Sequence, residues 1–314
     1  MAVRPRLLIL RALGLGDLLT GLPALRGLAQ AFPLHRRVLA APAWLEPVAI
    51  LSGAVEEVLP TEPLGPVGCA EPDVAVNLHG RGPQSHRRLL QTRPRRLIAF
   101  YNPDVPESAG SPRWRADEHE VRRWCRLLVE SGVPADPTWL ELDPPFLESP
   151  KRARGATLLH PGASSEARRW PLERWAAVAR AERKAGREVI VTGGPDEIEL
   201  AAAVAQTAGL PRGRVFAGGD LLQLVTVVAA AGRVVSGDTG VAHLATALRK
   251  PSVVLFGPVS PRLWGPPEDA RHLVLWAGRT GDPHASTADA GLLEITPEQV
   301  IQALRRLEVT SPAA

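Results

Sequence analysis

The sequence has 314 residues, about twice the usual domain length, with 45% apolar residues, 22% charged residues and a formal net charge of +4. This balance is that of a globular chain with a sizeable core, and it excludes a disordered tail, a collagen-like repeat and a coiled coil. No stretch approaches the ~18 uninterrupted apolar residues of a membrane span. The apolar start Leu7–Leu10 is broken by Arg11 and runs on into Gly14-Leu15-Gly16-Asp17 without a cleavable small-residue site. The expected location is therefore the cytoplasm.

The basic residues are 34 Arg and 3 Lys, and their distribution is uneven. Between Arg81 and Arg126 there are 11 arginines against 5 acids, whereas the rest of the chain is slightly acidic. A positive face there suits an anionic partner or membrane headgroups at the cytosolic face, against the plainer reading of a solvated surface. Nucleic acid is not expected, because aromatic residues make up only 4% of the chain, too few for a stacking platform. Cys69 and Cys125 lack the spacing of a zinc site or a disulfide scaffold and read as reduced thiols. A monomer is expected.

Short apolar runs alternate with helical patterns along the chain, which is the rhythm of βαβ units around parallel sheets. Arg6–Leu10 reads as a buried strand and Leu18–Ala31 as an amphipathic helix after a glycine turn. Val38–Ala41, Val74–Asn77 and Arg96–Ala99 are further strands, and Glu118–Ser131 is a helix stopped by Gly132 and Pro134. The proline-rich stretch Asp136–Pro150 cannot be helical and reads as a linker. Beyond it the rhythm restarts. Strand Ala156–His160, helix Pro171–Ala185, strand Glu188–Thr192 and helix Asp196–Ala208 come first. Helix Leu221–Ala231, strand Arg233–Ser236, helix Gly240–Leu248, strand Ser252–Phe256 and helix Pro297–Leu307 follow. The expected architecture is α/β, with two Rossmann-like parallel-sheet domains, 1–150 and 151–314, facing a cleft. Ligands of such sheets bind beyond the carboxyl ends of the strands.

Four strand-to-helix turns carry residues suited to chemistry. In Gly14-Leu15-Gly16-Asp17, Gly14 and Gly16 allow tight backbone passage. The third glycine of a dinucleotide fingerprint is missing, since position 19 is Leu19, which disfavours an oxidoreductase. Asp17 reads either as an N-cap or as a carboxylate able to accept a proton. In the turn from His160 to Pro171, Ser164 and neighbouring small residues can offer N–H and O–H groups to phosphate, with Arg168 and Arg169 adding charge-assisted bonds. In Thr192-Gly193-Gly194-Pro195-Asp196-Glu197, Glu197 reads as a ribose-binding carboxylate or as a complement to the helix dipole. In Ser236-Gly237-Asp238-Thr239-Gly240, a single Asp-Thr-Gly opening a helix excludes an aspartic protease, which needs two copies in an all-β chain. Thr239 and Gly240 instead mark an anion-binding helix N-terminus. His243, one turn on, reads as a cap or a ligand contact. No third ligand accompanies Asp238 and His243, so no metal is expected.

Taken in order, these motifs resemble glycosyltransferase family 9, the heptosyltransferases that use ADP-L-glycero-D-manno-heptose. The resemblance rests on Leu15-Gly16-Asp17-Leu18-Leu19 with Leu22-Pro23-Ala24-Leu25, Glu118-His119-Glu120-Val121, His160-Pro161-Gly162 and Arg169-Trp170-Pro171. It continues through Gly193-Gly194-Pro195-Asp196-Glu197, Ser236-Gly237-Asp238-Thr239-Gly240 with His243, and Phe256-Gly257-Pro258, and so covers nearly the whole chain. It implies a GT-B fold and inverting, metal-independent transfer from an ADP-sugar. In that scheme Asp17 is the general base, Arg168 stands where many members carry Lys against the diphosphate, and Ser164 contacts phosphate. Glu197 contacts the nucleotide, Asp238 the donor sugar, and Thr239 with Gly240 the diphosphate. Open alternatives are a GT-B enzyme using another nucleotide sugar and a non-catalytic nucleotide-sugar or anionic-glycan binding protein.

Overall fold

The computed structural model describes residues 4–310. The chain divides into two compact units, Met1–Leu142 and Asp143–Ala314. The division falls inside the proline-rich stretch rather than at its end.

The first unit runs β1 (Arg6–Leu10), α1 (Leu15–Thr20), α2 (Leu22–Ala31), β2 (Arg36–Ala41), α3 (Glu46–Leu51), β3 (Glu57–Pro60), β4 (Val74–Asn77), α4 (Gln84–Leu90), β5 (Arg96–Ile98) and α5 (Glu120–Glu130). Its sheet is parallel throughout, in the order β3-β2-β1-β4-β5. The chain winds outward from β1 to β3 and returns to β1's other side as β4. Helices therefore cover both faces, and Leu7 to Leu10 of β1 can be wholly apolar and buried. The strand order reverses between β1 and β4.

The second unit repeats this winding. Its elements are β6 (Thr157–His160), α6 (Leu172–Lys184), β7 (Val189–Gly193), α7 (Ile198–Thr207), β8 (Val215–Ala217), α8 (Leu221–Ala230), β9 (Arg233–Gly237), α9 (Gly240–Ala247), β10 (Ser252–Phe256), α10 (Pro261–Trp264), β11 (His272–Trp276), α11 (Ala290–Glu294) and α12 (Pro297–Thr310). The parallel order β11-β10-β9-β6-β7-β8 places the reversal between β6 and β9. The core joins Trp170 and Trp175, crossed edge to face at 5.2 Å, with Val189 and Val191 of β7 and Val300, Leu304 and Leu307 of α12.

Several expected elements change shape. The helix expected over Leu18–Ala31 starts earlier, at Leu15, and is split at Gly21. A Cβ at Gly21 would lie 3.0 Å from Nε of Arg11, so the missing side chain makes room for that guanidinium. Helix Glu118–Ser131 begins only at Glu120, where the ring of His119 accepts the Val121 N–H and ends the extended approach. The helix expected from Asp196 opens as a 3-10 turn over Pro195–Glu197 before α7. The sequence reading passed over α3, β3, α4, β8, α10, β11 and α11, most of which are too short to show a period. Cys69 and Cys125 are free and buried, and burial pushes the Cys125 thiol up to about 12.

Candidate functional site

In the second unit, three of the singled-out turns follow β6, β7 and β9, two of them flanking the reversal. Thr239 is the N-cap of α9, with φ −141° and ψ 173°, yet its hydroxyl makes no capping bond. An N-cap threonine ordinarily accepts an N–H of the first turn. Here Oγ1 is buried with no partner, and so is Oγ of Ser236 at the end of β9. The first N–H groups of α9 therefore donate no bond to that hydroxyl.

Arg168 closes the 3-10 turn Glu166–Arg168 after β6. Its Nη1 stands 3.8 Å from Oδ2 of Asp238, and its Nε is buried without a partner. Arg169 is turned to other work, bonding the Ala163 carbonyl at 3.1 Å and pairing with Glu166. Asp238 is 8% exposed, and burial lifts its carboxyl to about 6 against the opposing pull of Arg168. A diphosphate or sugar hydroxyls would find unpaired donors beside a carboxyl that is half protonated near pH 6. Ser164 is exposed in the same loop, beside Ser165, whose Oγ caps the 3-10 turn at Ala167.

Glu197 is partly committed to its own loop. Its Oε2 accepts the Gly194 N–H at 2.8 Å and lies 3.8 Å from Nε2 of His160. Its carboxylate packs so closely on Gly162 that any Cβ there would collide with it. The absent side chain at Gly162 leaves room for the Glu197 carboxylate, which reaches from the turn after β7 to the turn after β6. His160 bonds Thr192 Oγ1 at 3.1 Å through Nδ1, and burial lowers its pKa, keeping it neutral. His243 lies edge-on to Trp264, with ring centroids 6.0 Å apart.

In the first unit, Asp17 is not the N-cap. Gly14 takes that position, and Asp17 sits three residues on, where its Oδ2 accepts the Gly14 N–H at 3.2 Å. This is the carboxylate half of a capping box. Gly16 lies between them in α1. The Asp17 side chain is 25% exposed, and its pKa is raised, mainly by burial. Behind it lies Arg11, wholly buried, which donates to the main-chain carbonyls of Asp17 and Leu78 and, at 3.1 Å, to Thr20 Oγ1. Arg11 also bonds Oε1 of Glu120 at 3.2 Å and lies 5.0 Å from the Trp124 ring. The sequence reading gave no part to Arg11 or Ser236. An arginine directly after an apolar strand was the available signal, since a buried charge must be paired.

The arginine-rich region is largely consumed by the unit's own structure. Arg123 pairs with Glu120 and Arg126 with Glu118 and Glu130, while Arg93 pairs with Glu71 and Arg95 with Asp73. Arg88 and Arg96 bond the carbonyls of Leu64 and Ser131. Arg81, just past β4, remains exposed without an ion pair among the described residues, as do Arg87, Arg96, Arg113 and Arg122. The positive face is therefore smaller than the count of arginines suggests. Among the described residues no three of His, Cys, Asp and Glu converge as a metal site. No helix there is long and apolar enough to cross a membrane.

Comparison with known proteins agrees with this architecture. Escherichia coli lipopolysaccharide heptosyltransferase 2 is 26% identical over 96% of this chain and 98% of its own. A family 9 glycosyltransferase of Veillonella parvula superposes with a TM-score of 0.79 at 20% identity, covering 99% of both chains. An E. coli heptosyltransferase solved with ADP superposes with a TM-score of 0.73 at 20% identity, covering 96% of this chain and 99% of that one. Both superpositions show the two-domain GT-B fold. Residues 111–289, more than half of the sequence, match the family described as glycosyltransferase family 9 (heptosyltransferase). The chain belongs to that family and is a glycosyltransferase.

Proposed function

We propose that this glycosyltransferase moves a heptose, or a related sugar, from an ADP-sugar to a hydroxyl of a glycan, glycolipid or natural-product acceptor, with inversion and without a metal. The observation that carries the reading is the set of buried, unpartnered donors after β6 and β9: Arg168 Nε, Ser236 Oγ and Thr239 Oγ1. Unpaired polar atoms are costly to bury, and a diphosphate-linked sugar is the ligand that would pair them. A heptosyltransferase of the same fold has been solved with ADP.

In this scheme Arg168 and the N-terminus of α9 at Thr239-Gly240 take up the charge that develops on the leaving diphosphate. Ser164 adds a phosphate contact, Asp238 accepts from a sugar hydroxyl, and Glu197 offers a carboxylate oxygen to the ribose. His243 lines the donor site. Asp17 takes the acceptor proton as the acceptor oxygen bonds the anomeric carbon and the bond to the diphosphate breaks, its electrons leaving with ADP. Arg81, exposed just past β4, is suited to an anionic acceptor or to headgroups at the membrane surface. A monomer suffices for this chemistry.

The test is transfer by the full-length protein across a panel of nucleotide sugars, with acceptor extracts read by mass spectrometry and product configuration by NMR. The expected result is selective use of an ADP-sugar, inverted product and full turnover in excess EDTA. A preference for a uridine-linked donor, a retained configuration, or activity lost to chelator and restored by Mg²⁺ would each overturn the corresponding part.

A further inference from the structure

The family-like segment Glu118-His119-Glu120-Val121 has no part in the reaction as set out above, yet Glu120 is among the most deeply paired groups in the first unit. It is 4% exposed. Its Oε1 accepts from Arg11 at 3.2 Å and from Trp124 Nε1 at 2.7 Å, and its Oε2 pairs with Arg123. Arg11 meets two carboxylates from different elements: Glu120 of α5, in hydrogen-bond contact, and Asp17 of α1, whose Oδ1 lies 3.8 Å away. Asp17, Arg11, Glu120 and Arg123 form a chain of alternating charge that sums to zero when Asp17 is ionised.

The nearer carboxylate takes the larger share of the guanidinium. We propose that Glu120 is a positioning residue for transfer: by holding the charge of Arg11 to itself, it keeps Asp17 basic enough to accept the acceptor proton. This rests on the reading of Asp17 as the base. Were Glu120 neutral, Arg11 would act on Asp17 undivided and hold it as an inert carboxylate, since an opposite charge within ~4–6 Å favours the ionised form. The electrostatics run in these senses: burial raises the Asp17 pKa, Arg11 lowers it, and Glu120 raises it. The groups facing Asp17 are Arg11 from the end of β1, Glu120 from α5 and the Gly14 N–H of its own turn. His79, past β4, also feels Arg11, but burial and that charge hold it down to about 4, so it is neutral at working pH.

The test is the titration of the Asp17 side-chain carboxyl carbon in full-length protein labelled with ¹³C-aspartate, with the signal assigned by its loss in Asp17→Asn. Glu120→Gln is expected to move the Asp17 midpoint down by about one pH unit, and Arg11→Gln to move it up. The acid limb of the turnover profile should follow in the same senses. Loosening of the site would expose Asp17 and move its midpoint down in either variant, so opposite movements in the two cannot come from damage. A midpoint unchanged in Glu120→Gln, or moving the same way in both, overturns the proposal. If only Arg11→Gln folds, its upward shift decides alone; if only Glu120→Gln folds, its downward shift counts when its near-UV circular dichroism matches the parent's, and an unmoved midpoint overturns the proposal. Full activity in Asp17→Asn would instead defeat the base assignment, whatever the titration shows.

Discussion

The two units are wound alike, each with a parallel sheet whose order reverses beside its first strand, and most of the candidate site residues lie in turns next to that reversal. What they do with buried polarity differs. After β1 the first unit pairs Arg11 internally, with two carbonyls, a hydroxyl and two carboxylates, and leaves Asp17 partly exposed at the end of the chain, although His79 Nδ1 past β4 and Arg123 Nε in α5 are buried without partners. After β6 and β9 the second unit leaves a guanidinium nitrogen and two hydroxyls unpaired. A shared topology fixes where a ligand can be met, while the pairing of side chains decides what is met. Internally satisfied charge suits a group whose protonation must be held ready. Unpaired donors suit a ligand that brings its own negative charge.

The largest effect that sharpens the contrast is at Asp17. Asp17→Asn keeps an oxygen for the Gly14 N–H, so the first turn of α1 should hold, with melting within ~3 °C of the parent. Transfer should fall by ~10²-fold or more, with donor affinity unchanged. Single-turnover rates at saturating donor measure this, and a parental rate would reduce Asp17 to a capping group. In the second unit the balance should reverse. Arg168→Ala should weaken ADP-sugar binding by ~10- to 100-fold, the loss of a charge-assisted contact worth ~1.5–3 kcal/mol. Calorimetry at two salt concentrations checks it, and equal affinities in parent and variant would remove Arg168 from the donor site.

Asp238 probes the same unit through pH. Its carboxyl is raised to about 6, so the folded chain holds this proton more tightly than the unfolded one. The stability it contributes is full below its ordinary value of 3.8 and is lost as pH rises through about 6. Asp238→Asn cannot ionise and escapes that loss. Its stability relative to the parent should rise between pH 4 and pH 7, by on the order of 2 kcal/mol. Urea unfolding at the ends of this range measures the difference, and parallel stability curves would show that Asp238 ionises freely.

The sequence made the second unit's turns legible because their signals are local. Gly162, Gly194, Thr239 and Gly240 sit where strands give way to helices, and turn chemistry is read over a few residues. The βαβ rhythm was visible for the same reason, whereas β8, with three residues, was too short to carry a pattern. The first unit's site was less legible because its bonds are long-range. Arg11 and Glu120 are 109 positions apart, and nothing in either neighbourhood announces the other. The arginine count overstates the unpaired charge partly for a related reason: Arg93 and Arg95 find Glu71 and Asp73 only once the chain is folded.

Thr239 gives the smallest effect and the closest test of how unpaired donors should be understood. Replacing an N-cap threonine by alanine ordinarily costs ~1 kcal/mol, because a first-turn N–H loses its acceptor. At the head of α9 that bond is not made, so its removal has nothing to take away. The hydroxyl is also buried and unpartnered, and deleting such a group relieves a desolvation cost. Thr239→Ala should therefore leave unfolding free energy within ~0.5 kcal/mol of the parent, or raise it slightly. Binding should respond in the opposite sense: if Oγ1 is held for the diphosphate, affinity for an ADP-sugar should fall by ~3- to 10-fold, one neutral hydrogen bond. Melting and calorimetry on the same preparation separate the two quantities. A stability loss near ~1 kcal/mol with donor affinity unchanged would make Thr239 an ordinary cap, with no hydroxyl held open for the diphosphate.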